Sequence, residues 1–274
     1  MKYHDTYSSH PIGIFDSGIG GLTVTQAITK ILPYENIVYF GDTAHLPYGD
    51  KSTAAIQAYS IKICDMLLAQ HCKLIVMACN SASSAAYELV KEYVGKKAHV
   101  INVIDPTIEY IREYFSEKKI GLIGTRQTVL SNVYKKKIDA LNNNIELYSY
   151  PTPLLAPLIE EGFSKKNIFD EIINNYLSVP ELANIEAIIL ACTHYPLIKE
   201  QINHFYKDKI AIIDNSDIVA NAVKNLLNYH HALNKQGKNN YKKFYISDYT
   251  ESFSNAAKLF FSEEIHLEHY PLWD

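Results

Sequence analysis

Arginine is almost missing from this chain: of its 26 Lys and Arg residues only two, Arg112 and Arg126, are arginines. A site for carboxylates therefore cannot draw on several guanidinium forks and is expected to rely on backbone amides and hydroxyls. Long apolar runs are missing too. No stretch approaches the ~18 apolar residues of a membrane helix, which argues against membrane insertion. Met1 to His10 lacks the basic start and apolar run of a secretory signal, so a cytoplasmic protein with reduced thiols is expected. Cysteine is scarce: Cys64, Cys72, Cys79 and Cys192 show no paired metal-ligand spacing, and the expected compartment disfavours a disulfide framework. The formal net charge is −4. The one basic concentration, Lys235, Lys238, Lys242 and Lys243, lies in a polar stretch without an RNA-binding or helix-turn-helix signature, which argues against nucleic acid as the main ligand.

What is present is an ordinary globular composition, 47% hydrophobic and 20% charged over 274 residues, enough for one large or two modest domains. Short apolar runs alternate with longer amphipathic segments, the pattern of a parallel sheet covered by helices. Strands are expected at Ile12–Phe15, Ile37–Phe40, Leu74–Ala78, Val100–Val103, Ile120–Ile123, Ile145–Ser149, Ala187–Ala191, Ile210–Ile213 and Lys243–Ile246. Helices are expected at Ser52–Ala69, Ala82–Tyr93, Pro106–Phe115, Thr128–Leu141, Asp217–Tyr229 and Ser252–Phe261, with a polar loop at His230–Asn240.

Three segments recur in order. Ile12 to Ser17 resembles Ile120 to Thr125, Ile75 to Asn80 resembles Ile188 to Thr193, and Ile104-Asp105 resembles Ile213-Asp214. The repetition implies two similar α/β lobes, each with a cysteine at the carboxyl end of a strand, where open α/β sheets bind ligands.

A lone free cysteine is usually a small core hydrophobe, and Cys64 and Cys72 are read that way. A metal site from His71, Cys72 and Cys79 is rejected because the two cysteines fall at opposite ends of one strand. Cys79 and Cys192 differ because their setting is duplicated. Each follows a buried strand and precedes a sequence suited to starting a helix, whose amides favour thiolate over thiol. Lobes facing each other would present these thiols to opposite faces of one carbon. Asp16-Ser17-Gly18-Ile19-Gly20-Gly21 follows the first strand but lacks the dinucleotide fingerprint and the phosphate-loop lysine, so a nucleotide site is weakly supported. Asp16 is placed to assist a cysteine. Gly41 to Gly49 reads as a site-lining loop, and His194 as a group that polarises Cys192 or orients substrate.

Together these segments resemble the glutamate racemases of bacterial cell-wall synthesis. The carriers are Gly13 to Val24, Asp42-Thr43-Ala44 with Pro47-Tyr48-Gly49 and Lys51-Ser52, Ala78-Cys79-Asn80, Gly124-Thr125 with Thr128, and Leu190 to Pro196. The resemblance implies two pseudo-symmetric open α/β lobes with the active site between them, 1–102 with 216–274 carrying Cys79 and 103–215 carrying Cys192. It implies Cys79 and Cys192 as catalytic thiols helped by Asp16 and His194, and no cofactor or metal. Asp16, Ser17, Pro47, Tyr48, Gly49, Asn80, Ser81, Thr125, Glu160, Thr193 and His194 would bind glutamate. A homodimer is left open. Ser81 stands where threonine is usual and His45 where arginine is common. The alternatives are a two-cysteine racemase of aspartate or another amino acid, a non-catalytic amino-acid binding protein, and a pyridoxal-phosphate racemase.

Overall fold

The computed structural model describes residues 7–162, 166–235 and 240–274. Two all-parallel sheets organise it. The first has strands β1 (Ile12–Asp16), β2 (Ile37–Gly41), β3 (Leu74–Met77), β4 (His99–Asn102), β9 (Lys242–Ile246) and β10 (Leu267–His269), in the order β10-β9-β2-β1-β3-β4. The second has β5 (Lys119–Gly124), β6 (Glu146–Pro151), β7 (Ala187–Ala191) and β8 (Ala211–Asp214), in the order β6-β5-β7-β8. Every residue of β1, β3 and β7 is buried. That is why these strands read as unbroken apolar runs rather than alternating ones.

The helices are α1 (Leu22–Ile31), α2 (Thr53–Ala69), α3 (Asn80–Val94), α4 (Ile104–Tyr114), α5 (Arg126–Leu130), α6 (Val133–Asp139), α7 (Leu155–Glu160), α8 (Lys166–Leu177), α9 (Lys199–Phe205), α10 (Asn215–Tyr229) and α11 (Glu251–Phe260). Ser52 caps α2 as expected, its hydroxyl accepting from Ala55 N. After β8 the chain crosses back, and α10 packs on α1 of the first lobe.

The duplication is visible as topology, because the block β2-β1-β3-β4 has the same strand order as β6-β5-β7-β8. Register corrects one of the three sequence matches. Met77 pairs with Asn102 as Leu190 pairs with Asp214, so Asn102 and not Asp105 is the counterpart of Asp214. Both act as caps: Asn102 Oδ1 accepts from the amides of Ile104 and Asp105 at 2.7 Å, and Asp214 Oδ1 accepts from Ser216 N at 2.9 Å. The shared requirement is a side-chain oxygen after the strand, which the Ile-Asp dipeptide match missed by three residues.

Other expectations shift. The helix read over Thr128–Leu141 is two, α5 and α6, separated at Asn132, whose φ of 56° is left-handed. Helices α7, α8 and α9 and strand β10 were not anticipated. In the His230–Asn240 loop, residues 236–239, including Lys238, lie outside the described residues, as do residues 1–6. No helix among the described residues is long and apolar enough to cross a membrane.

Candidate active site

A cavity of about 260 Å³ lies where the carboxyl ends of β1 and β3 face those of β5 and β7. Its wall includes Ser17, Pro47, Tyr48, Gly49, Cys79, Asn80 and Ser81 from the first lobe, and Thr125, Glu160, Cys192, Thr193 and His194 from the second. Of the site residues expected from sequence, only Asp16 is outside the wall. It sits fully buried at the end of β1, accepting from Gly18 N at 3.2 Å and from Thr193 Oγ1 at 3.4 Å.

The two cysteines occupy equivalent places but different chemistry. Cys79 is the N-cap of α3, its sulfur accepting from Ala82 N at 3.4 Å and lying 3.7 Å from Ser17 Oγ. Burial pushes its thiol up to about 12, reinforced by the charge of Asp16 and only partly offset by Ala82 N and Ser17. The helix amide is therefore present, but it is outweighed, and Cys79 rests as a neutral thiol. No α-helix starts at Cys192. A 3-10 turn, Tyr195–Ile198, follows instead, with Pro196 near its start. Cys192 Sγ meets His194 Nδ1 at 3.6 Å, and His194 Nε2 meets Glu160 Oε1 at 2.7 Å. Burial disfavours the imidazolium of His194, but the hydrogen bonds to Cys192 and Glu160 and their negative charge prevail and hold it well above its ordinary value. A protonated His194 thus stands beside Cys192 Sγ, whereas Cys79 has no such cation among its hydrogen-bond partners in the described residues.

Asp16 is also raised from the ordinary carboxylate value, by burial, against the opposing pull of His194 and the amides of Gly21 and Gly18. This fits a proton relay or hydrogen-bonding partner better than a stabiliser of thiolate. Close approach of the two halves requires Gly20. A Cβ there would stand 2.4 Å from His194 Cε1 and 2.5 Å from Thr193 Oγ1.

Hydroxyls bridge the floor. Ser81 Oγ lies 2.8 Å from Thr125 Oγ1, which caps α5 by accepting from Thr128 N. The serine found in place of the usual threonine thus retains the contact a hydroxyl provides. Neither arginine reaches the cavity: Arg126 pairs with Asp50 at 3.0 Å and Arg112 with Glu109, all four exposed.

Several supporting residues had no assigned role. Buried Asp42 accepts from Tyr48 OH at 2.6 Å, from Ser247 Oγ at 2.8 Å and from Trp273 Nε1 at 2.8 Å, so it orients the tyrosine of the cavity wall. His45 turns to the same carboxylate at 3.0 Å and stacks on Tyr59, away from the cavity wall. Tyr39 OH donates to Gly18 O at 2.7 Å. An acidic residue directly after β2 was the available signal for Asp42; nothing local marked Tyr39. Cys64 and Cys72 are both buried away from the cavity wall. Cys72 packs where a Cβ on Gly13 would come within 2.8 Å of its sulfur, as Ile185 packs against Gly121 in the second lobe.

Comparison with known proteins agrees with this architecture. The Asp/Glu/Hydantoin racemase family model matches residues 12–223. A glutamate racemase of Chlorobaculum parvum is 37% identical over 97% of this chain and 97% of its own length. The structure of a Francisella tularensis glutamate racemase in complex with D-glutamate superposes with a TM-score of 0.90 at 38% identity, covering 97% of this chain and 99% of that one. A Picrophilus torridus aspartate racemase, at 19% identity and a TM-score of 0.56 over 82% of this chain and 99% of that one, shares the fold. This chain belongs to the Asp/Glu/hydantoin racemase family and is an amino-acid racemase.

Proposed function

We propose that the substrate is glutamate, that L- and D-glutamate are interconverted at Cα by two-base proton transfer between Cys79 and Cys192, and that the D-glutamate serves peptidoglycan synthesis in the cytoplasm. The observation that carries this reading is the pair of cysteines at matching strand ends of opposed sheets, both on one cavity wall. For L-glutamate, Cys192 as thiolate takes the α-proton, and His194 is the cation beside it. The electron pair of the broken C–H bond stays at Cα and spreads into the α-carboxylate. The Cys79 thiol then gives its proton to the opposite face, leaving Cys79 as the thiolate that starts the reverse reaction. Amides and the hydroxyls of Ser17, Ser81, Thr125 and Thr193 are the donors for substrate carboxylates and developing charge. Sheet membership supports the lobe division 1–102 with 216–274 and 103–215.

Aspartate is the second substrate to test, since the fold is shared with an aspartate racemase. The deciding experiment is a chiral assay on reduced, chelated, cofactor-free protein with both enantiomers of each acid. Racemisation of glutamate that is lost in both Cys79→Ser and Cys192→Ser and kept in Cys64→Ser is expected. Near-normal turnover by either site variant refutes the two-cysteine assignment.

A further inference from the structure

A buried polar triad runs inward from the cavity wall, where Asn80 is its first member. Asn80, next to Cys79 and first residue of α3, is 3% exposed; Tyr134 on α6 is 2% exposed; Asn215, first residue of α10, is 5% exposed. Tyr134 OH donates to Asn80 Oδ1 at 2.8 Å. Asn215 Nδ2 donates to Tyr134 OH at 3.2 Å and to Asn80 Oδ1 at 3.3 Å. The directions are self-consistent. An amide nitrogen can only donate, so the phenol accepts from Asn215, which leaves its own proton for Asn80 Oδ1 at 2.8 Å. Both donors thus converge on the carbonyl end of the Asn80 amide.

We propose that Tyr134 and Asn215 are positioning residues for substrate: by engaging Asn80 Oδ1 they turn the Asn80 NH2 group toward the cavity as a donor to a substrate carboxylate. This rests on the reading of the cavity as an amino-acid site. A free asparagine amide can rotate and present either end; one with its oxygen bonded twice presents nitrogen. The arrangement also leaves Asn215 Oδ1 buried without a partner among the described residues. Leaving an acceptor unsatisfied is costly, and reversing the Asn215 amide would place oxygen against Asn80 Oδ1. The three side chains come from the first lobe, the second lobe and the crossover joining β8 to α10. The orientation of a donor adjoining Cys79 is therefore set by residues outside its own sheet, and it is complete only while the lobes are together.

The test is a double-mutant cycle on the full-length enzyme, with kcat and KM for both glutamate enantiomers and a thermal melt for each variant. Tyr134→Phe keeps the ring and removes the phenol. Its KM should rise about five- to ten-fold, the cost of losing one buried hydrogen bond, with kcat within about two-fold of wild type. Asn80→Ala should raise KM at least as much, and Tyr134→Phe added to Asn80→Ala should raise it no further. Asn215→Ala serves as the second variant and should behave like Tyr134→Phe. An unchanged KM in folded Tyr134→Phe and Asn215→Ala, or full additivity with Asn80→Ala, overturns the proposal. Wild-type protein inactive on both glutamate enantiomers would instead overturn the substrate reading, and the same preparation reveals it first.

Discussion

The imidazole of His194 is shared: Nε2 lies 2.7 Å from Glu160 Oε1, while Nδ1 faces Cys192 Sγ at 3.6 Å. Its equivalent in the first lobe is missing, because Cys79 is served by the amide of Ala82 and by Ser17 instead. Two strands in equivalent positions thus deliver two thiols into different surroundings. One has a cation beside it; the other is kept neutral by burial and by Asp16. The proposed transfer across a carbon needs one base and one acid, and these unlike surroundings support that assignment.

Glu160→Gln should separate these roles. His194 has a raised pKa, so its imidazolium is fully present below the ordinary histidine value of about 6.5 and is lost as pH rises through the raised one. Stability from this pairing follows the same course, complete on the acid side and fading upward. Turnover of L-glutamate should fall on the alkaline limb as the imidazolium is lost. Removing the Glu160 charge should bring that limb to lower pH and cut kcat by about 10²-fold. A pH-rate profile superimposable on wild type would remove Glu160 from the proton machinery.

Gly20→Ala should be an activity variant more than a folding variant. The added methyl meets His194 at 2.4 Å, so the ring or the loop must move, and a misplacement of about 1 Å at a reacting group costs on the order of 10²-fold in rate. Steady-state kinetics with a thermal melt tests this; wild-type kcat with a lowered melting temperature would show that the contact serves packing alone.

How much of this was legible in sequence depends on the range of the interaction. Strands such as Ile12–Asp16 and Ala187–Ala191 announce themselves because a parallel strand covered on both faces is apolar throughout. The Ser52 cap is equally local. The break at Asn132 was not read, because an asparagine inside a helical pattern is ordinary until its backbone turns left-handed. Cys192 was expected to head a helix by analogy with Cys79, but Pro196 and a 3-10 turn stand there, and Glu160, 34 residues away, completes its surroundings. Tyr134 and Asn215 carry no local signal at all, since their partner is Asn80 across the lobe boundary. The site motifs were readable because short loops at strand ends carry them; the residues that orient those motifs come from other elements.

Lys73→Met should be strongly destabilising although it touches no substrate group. Lys73 Nζ lies in the core 2.5 Å from Glu35 Oε2 and also donates to Ser8 O and Ala232 O. Both side chains of the pair are essentially buried. Removing the ammonium leaves a buried carboxylate without its cation, which costs about 3–5 kcal/mol. Adding Glu35→Gln removes the stranded charge and should recover part of the loss. Chemical denaturation of the three variants measures it, and a Lys73→Met loss below about 1 kcal/mol, the range of exposed pairs, would contradict the buried-pair reading.

Isotope flow tests the opposed thiols without altering either. If the two thiols act as proposed, the acid facing the second side during turnover of L-glutamate in deuterated water is the Cys79 thiol, with its S–H exchanged with solvent before substrate binds. The first D-glutamate formed should therefore carry deuterium at Cα. The proton removed from L-glutamate resides on Cys192, so L-glutamate remaining at low conversion should stay largely protiated. A single base that ferries its proton across the cavity would put substantial protium into the product. Mass spectrometry after chiral separation distinguishes the two, and the unequal surroundings sharpen the comparison. Starting from D-glutamate, the proposed base is Cys79, which lies beside the buried Asp16 rather than beside a cation. Mainly protiated early product in either direction, without rapid exchange of free substrate, would exclude transfer between two thiols even if both cysteines proved essential.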